Sequence, residues 1–121
     1  MSIDYDGRRF RPADGHGHED GRVAVYRQAG DLLWGEFGGG RARHGSLSGT
    51  CAPDGSLDFA YCMVLDDGGI VSGRCRSTPT VLPDDRIRLH ETWERYSPVP
   101  GRGESAIEEI PMSGPTPWST S

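Results

Sequence analysis

Leu57, Phe59, Tyr61, Met63 and Leu65 occupy every second position of one short segment. Only an extended strand puts such a set on a single face, because successive side chains of a strand point to opposite sides. The same two-residue rhythm recurs along the chain, each time bounded by turn-forming residues. Val23–Gln28 reads as a strand, Ala29-Gly30-Asp31 as its turn, and Leu32–Phe37 as the returning strand, closed by Gly38-Gly39-Gly40. Ala42–Thr50 is a glycine-punctuated strand ahead of Pro53-Asp54-Gly55. Ile70–Ser77 returns after Asp66-Asp67-Gly68-Gly69, and Ile87–Glu94 follows Pro83-Asp84-Asp85. A first strand is expected around Tyr5–Phe10. Ser105–Ile110 reads either as a last strand or as one helical turn.

These turns leave no room for crossover helices. The chain has 121 residues, 18 of them glycine, and a glycine inside a helix costs about 1 kcal/mol relative to alanine. The expected fold is therefore all-β: a single up-and-down antiparallel barrel, or a strongly curved meander, of seven or eight strands. A two-sheet sandwich is the second choice. Gly35, Gly45, Gly49 and Gly73 lie inside strands, where glycine permits bends and close backbone approach. Barrel closure removes exposed edges, and about eight strands enclose an interior that is filled by side chains or holds one small ligand. The expected organisation is an N-terminal strand and polar loop over residues 1–20, a barrel core over 21–110, and a disordered tail rich in Pro, Ser, Thr and Gly over 111–121.

Charge narrows the partners. With 13 basic and 18 acidic side chains the formal charge is −5, and the only dense basic group is Arg8, Arg9 and Arg11. No basic stripe suited to nucleic acid is present. No segment approaches the roughly 18 apolar residues of a membrane-spanning helix, so no membrane partner is expected. Nor does an apolar leader open the sequence, so a reducing cytoplasm is the expected compartment. Cys51, Cys62 and Cys75 lack the close pairing of a structural zinc site and read as free, mostly buried thiols. His16 and His18 sit in a glycine-containing polar loop and do not make a convincing metal site. No cofactor or metal is expected.

The informative residues are polar ones on apolar faces. Along the late strand Ile87, Leu89, Glu91 and Trp93 point one way, and Arg88, His90, Thr92 and Glu94 the other. Glu91 therefore lies among apolar neighbours, where a carboxylate must be paired, hydrogen-bonded or shifted in pKa. Tyr61 shares the apolar face of Leu57–Leu65, and Tyr26 shares the face of Ala24 and Gln28. In Leu32–Phe37 both faces carry apolar residues, so the side holding Trp34 and Glu36 is ambiguous. If Glu36, Tyr61 and Glu91 converge with Trp34 and Trp93, the interior is a small aromatic-walled polar pocket. Arg43 or Arg74 is then a candidate partner for a buried glutamate. His44 and His90 read as surface residues or, with reversed facing, as interior bases. Arg74 and Arg76 flank Cys75 and lower its pKa only if they share its face.

Trp34-Gly35-Glu36-Phe37 with Gly38-Gly39, followed by Gly45-Ser46-Leu47-Ser48-Gly49-Thr50, resembles a family of small bacterial proteins, some of which are labelled N-acetylglutamate synthase. Gly73-Arg74-Cys75-Arg76-Ser77-Thr78-Pro79, Arg88-Leu89-His90-Glu91-Thr92-Trp93 and Gly103-Glu104-Ser105-Ala106-Ile107-Glu108-Glu109 extend the match over about residues 21–110. An acetyltransferase of the usual kind needs a longer α/β chain and a backbone loop for the coenzyme A pyrophosphate, and this chain has neither. The resemblance implies one compact β domain similar to the small calycin-type barrels, which include ligand carriers, cyclases and isomerases.

Three functions follow as expectations. The first is a small-molecule-binding barrel, with Tyr26, Trp34, Trp93, Arg43, Arg74 and His90 as ligand contacts. The second is a cofactor-free isomerase, cyclase or (de)hydratase, using Glu36 or Glu91 as general acid or base with Tyr61 orienting an oxygen. The third is a structural or protein-interaction domain with a filled core. An apolar outer patch would favour a protein partner or a homodimer.

Overall fold

A computed structural model of the chain describes residues 3–13 and 21–111. Eight strands run in chain order: β1 (Arg9–Pro12), β2 (Val23–Ala29), β3 (Leu32–Gly39), β4 (Ala42–Cys51), β5 (Leu57–Leu65), β6 (Ile70–Val81), β7 (Ile87–Ser97) and β8 (Gly101–Glu109). Each pairs antiparallel with the next, and β8 pairs back onto β1 to close a barrel. The up-and-down barrel replaces the sandwich alternative. The segment that allowed either strand or helical turn, Ser105–Ile110, is strand through Glu109.

The turns form where glycine and aspartate punctuate the sequence. Gly30, Gly55 and Gly68 adopt positive φ at three of the reversals, a conformation that glycine takes without steric cost. At the reversal between β6 and β7, Asp85 takes the left-handed conformation instead, next to Asp84, whose carboxylate accepts from the Arg86 backbone N–H at 3.3 Å.

The N-terminal segment differs from expectation. The first strand is Arg9–Pro12 rather than Tyr5–Phe10, and Tyr5 instead plugs the lower end of the barrel. Its side chain is fully buried, its hydroxyl donates to the Gly55 carbonyl at 2.6 Å, and its backbone N–H donates to Gln28 Oε1 at 2.9 Å. A turn at Asp6-Gly7, with Gly7 at φ 82°, then swings the chain up into β1.

Closure rests on a short seam. β1 pairs with β8 at Ile107, Glu108 and Glu109, and the Ile110 backbone N–H adds a bond to the Arg9 carbonyl at 2.8 Å. Buried Glu109 ties this seam to β7: it accepts from Arg8 Nη1 at 2.7 Å and from the Ile87 backbone N–H at 3.1 Å. Just above Ile107 the Ala13 backbone N–H donates to the Ala106 carbonyl at 2.9 Å.

The lower half of the interior is filled. Tyr5, Phe10, Leu33, Leu57, Ile87 and Leu89 are each no more than 2% exposed, and each such side chain contributes about 1.5–3 kcal/mol. Phe10 and Tyr26 rings lie 4.9 Å apart, and Tyr26 meets Phe59 edge-on at 6.3 Å. Such aromatic pairs add about 0.5–1.5 kcal/mol beyond their buried area.

Candidate functional site

Above this plug the barrel is hollow. A cavity of about 430 Å³ is walled by Tyr26, Phe59, Tyr61 and Trp93, with the Glu91 side chain among them. The filled-core expectation therefore holds for the lower half of the barrel and not for the upper.

The space comes from a repeated pairing. Five inward aromatic residues each stand directly across the ladder from an inward glycine: Tyr26 from Gly35, Phe37 from Gly45, Phe59 from Gly49, Tyr61 from Gly73, and Trp93 from Gly103. At Gly45 and Gly103 the ring lies over the glycine, where an added Cβ would come within 2.3 and 2.5 Å of ring atoms. At Gly35, Gly49 and Gly73 the nearest atom is a backbone carbonyl oxygen of the neighbouring strand, at 2.3, 2.0 and 2.1 Å. The glycines let strands approach and rings lie flat against the wall, so aromatic residues line the interior instead of filling it.

Glu91 lies in a polar row that crosses this wall. β7 carries it between Ser77 of β6 and Ser105 of β8, its two direct ladder partners. Ser105 Oγ donates to Glu91 Oε1 at 3.1 Å, and the Cys75 thiol reaches Glu91 Oε2 at 3.5 Å. Cys75 in turn lies 3.7 Å from Ser77 Oγ. Burial raises the Glu91 pKa from the ordinary carboxylate value, and the two donors only partly oppose it. Burial, followed by the charge of Glu91, also pushes the Tyr26 phenol up, and burial does the same at Tyr61. The arrangement can accept hydrogen bonds at a carboxylate or, once Glu91 is protonated, donate one.

A protein-family model described as Avidin-like protein matches residues 3–110. The chain belongs to the avidin-like family. No curated protein matches it. The avidin-like match agrees with the eight-stranded, calycin-like barrel described above, an architecture whose interior is wide enough for one small ligand.

The avidin-like barrel brings together only some of the residues singled out in the sequence. Glu91, Tyr61, Tyr26 and Trp93 share the cavity. Glu36, Trp34, Arg74 and His90 do not, because they occupy the opposite phase of their strands and face outward, and Arg43 does not, because it is exposed at the register shift between Ala42 and His44. In β3 the inward phase is Leu33, Gly35 and Phe37, which sends Glu36 outside and leaves Trp34 40% exposed. Arg74 pairs with Asp58 at 2.6 Å rather than with a buried glutamate. His90 Nε2 lies 2.8 Å from Glu104 Oε1 on the outer face. The partners of Glu91 are thus a hydroxyl and a thiol, not Arg43 or Arg74.

Cys75 points inward while Arg74 and Arg76 point out, so burial and Glu91 push its thiol up rather than down. Cys51 and Cys75 are buried, Cys62 is exposed, and all three are free. His16 and His18 lie outside the described residues, as does 112–121. Among the described residues no His, Cys, Asp and Glu cluster could hold a metal, and no helix is long and apolar enough to cross a membrane.

Among the lining residues that the sequence reading did not name as site residues are Phe59, Cys75, Ser105 and Arg95. Extending the alternation of Ile87, Leu89, Glu91 and Trp93 by one step finds Arg95. Phe59 shares the phase of Tyr61. Ser105 has no such signal, since Gly101–Glu109 alternates poorly.

Proposed function

We propose that this barrel binds one small organic molecule in its upper cavity. The observation that carries the reading is the cavity of about 430 Å³ with aromatic walls and a single carboxyl at Glu91. Ligand pockets span roughly 300–1,000 Å³ and combine apolar walls with a few fixed polar groups. Tyr26, Phe59 and Trp93 take the apolar body of the ligand. Glu91, Ser105 and the Tyr61 phenol orient its polar atoms. Screening small cyclic compounds by NMR and Trp93 fluorescence tests this, with biotin in the panel because of the family name. Saturable one-to-one binding is expected, weakened about tenfold or more by Trp93→Leu. If no compound perturbs cavity resonances, or Trp93→Leu binds equally well, the reading fails.

A second reading is cofactor-free acid–base chemistry such as isomerisation, cyclisation or (de)hydration. One observation supports it: burial favours the protonated form of Glu91, which makes the group a proton donor as well as an acceptor. Tyr61 would orient a substrate oxygen, and Glu36, on the outer face, takes no part. Glu91→Gln should then abolish turnover of any converted ligand while the barrel stays folded. Undiminished turnover would exclude this role. Leu32 and Trp34, exposed side by side on the outer phase of β3, support a homodimer, which sedimentation would reveal or exclude.

A further inference from the structure

Cys75 is a nucleophilic group inside the cavity to which ligand binding gives no role. The chain holds two buried cysteines, and their surroundings differ. Cys51 sits at the lower end of the barrel, where its thiol reaches the Ala52 carbonyl at 3.5 Å. Cys75 lies in the cavity wall, with Phe59 and Trp93 as its ladder partners on either side. Its thiol reaches Glu91 Oε2 at 3.5 Å, and Ser105 holds the other oxygen of that carboxyl at 3.1 Å.

A nucleophile, a base within hydrogen-bond reach and a third group that orients the base are the parts of covalent catalysis. They occur here as Cys75, Glu91 and Ser105, on three neighbouring strands that face one cavity. At rest the thiol keeps its proton, because burial and then the charge of Glu91 push its pKa up. It is therefore not a freely reactive thiolate. A thiolate of high pKa is the stronger nucleophile once formed, and an electrophile seated in the cavity lets Glu91 take the proton as the sulfur attacks.

The wall also narrows the electrophile. Acyl transfer needs donors aimed at a tetrahedral oxyanion beside the sulfur, whereas the backbone of Cys75 is engaged in the sheet on both sides. Conjugate addition instead carries the charge to an oxygen several atoms away. Tyr61, on the adjacent strand and in the same cavity, presents a phenol that burial keeps protonated, and it can donate to that oxygen. We propose that the cavity captures a neutral α,β-unsaturated carbonyl compound as a covalent adduct at Cys75. The sulfur bonds to the β-carbon, and the thiol proton passes to Glu91. The alkene π pair shifts toward the carbonyl, whose oxygen becomes that of an enolate. Return of the proton to the α-carbon leaves a saturated thioether and restores the Glu91 carboxylate, with no oxidant, reductant or leaving group. This rests on the cavity being a binding site and adds a covalent step to it.

The test uses full-length Cys62→Ser protein, which lacks the exposed thiol, at mildly alkaline pH. It is incubated for hours with conjugated cyclohexenone or with its saturated analogue cyclohexanone. Intact mass and peptide mapping read the adduct, and NMR shifts of cavity residues read binding. One cyclohexenone should add per chain, at Cys75 and not at Cys51. Cys75→Ser should abolish the adduct, and Glu91→Gln should slow its formation at saturating enone by at least about tenfold. A bulky charged disulfide reagent should leave Cys75 unmodified over the same time. Equal modification by that reagent would mean a freely reactive thiol and overturn the proposal. Cyclohexanone shifting cavity resonances without any enone adduct at Cys75 would overturn it while the cavity reading stood. So would equal addition at Cys51, or an undiminished rate in Glu91→Gln. If neither compound shifts a cavity resonance or forms an adduct, the cavity reading itself fails, and the proposal with it.

Discussion

Gly49→Ala probes the device that hollows the barrel. Gly49 lies in β4 directly opposite Phe59 of β5. A Cβ at this position would stand 2.0 Å from the Asp58 carbonyl oxygen and 2.5 Å from Phe59 Cα, against normal contacts of about 3.5–4.0 Å. Both atoms are backbone, so no side-chain rotation relieves the overlap. β5 must move away from β4 by more than an ångström, in the interior of a ladder joining Ala42–Cys51 to Leu57–Leu65. Overpacking of this kind costs about 1–3 kcal/mol. The lower entropy of the unfolded alanine chain returns about 0.4–1 kcal/mol. The expected net loss is about 1 kcal/mol. Gly38→Ala is the matched control: its Cβ would meet only the Ala42 and Arg43 carbonyl oxygens, at 3.7 Å, leaving just the small entropic gain. Urea denaturation read by tryptophan fluorescence compares the two, provided that their m-values agree. Stabilities within about 0.5 kcal/mol of one another would refute the close-approach argument.

The pH dependence at Glu91 has a definite sign. Burial raises its folded pKa above the unfolded value of about 4.3, so the neutral acid favours the folded chain. That stabilisation is complete below the unfolded value and is lost as pH rises through the raised folded one. Glu91→Gln, permanently neutral, should therefore gain stability relative to the unmodified protein between about pH 4 and neutrality; a flat or shrinking difference in urea titrations contradicts this. Tyr5→Phe removes the donor to the Gly55 carbonyl at the lower plug and should cost about 1–3 kcal/mol. A loss under about 0.3 kcal/mol would show that this hydrogen bond contributes little. In the native protein a thiol reagent should label Cys62 rapidly and leave Cys51 and Cys75 protected, since both are buried and burial pushes both thiols up. Rapid labelling at more than one site would contradict the packing.

Which side of a strand a residue faces is a local property, and it was legible wherever polarity alternates cleanly. Ile87, Leu89, Glu91 and Trp93 alternate in this way, and Glu91 and Trp93 were placed correctly inside; so was Tyr61 in Leu57–Leu65. β3 has apolar residues on both faces, and local pattern could not choose between them. The choice was made across the ladder, where Gly35 leaves room for Tyr26, and it put Trp34 and Glu36 outside. Arg74 shows the same limit, because its partner Asp58 is an outward neighbour on β5.

The chain's short alternating segments and tight turns determined by themselves an all-β meander and the inward position of Glu91. Both depend on neighbours a few residues apart. Tertiary structure alone decided closure, since the seam joins Phe10 to Glu109 across nearly the whole chain. It also decided the hydroxyl and thiol that Glu91 meets. The cavity belongs to the same class: its volume depends on which glycine stands opposite which ring, and period-two alternation says nothing about pairing between distant strands.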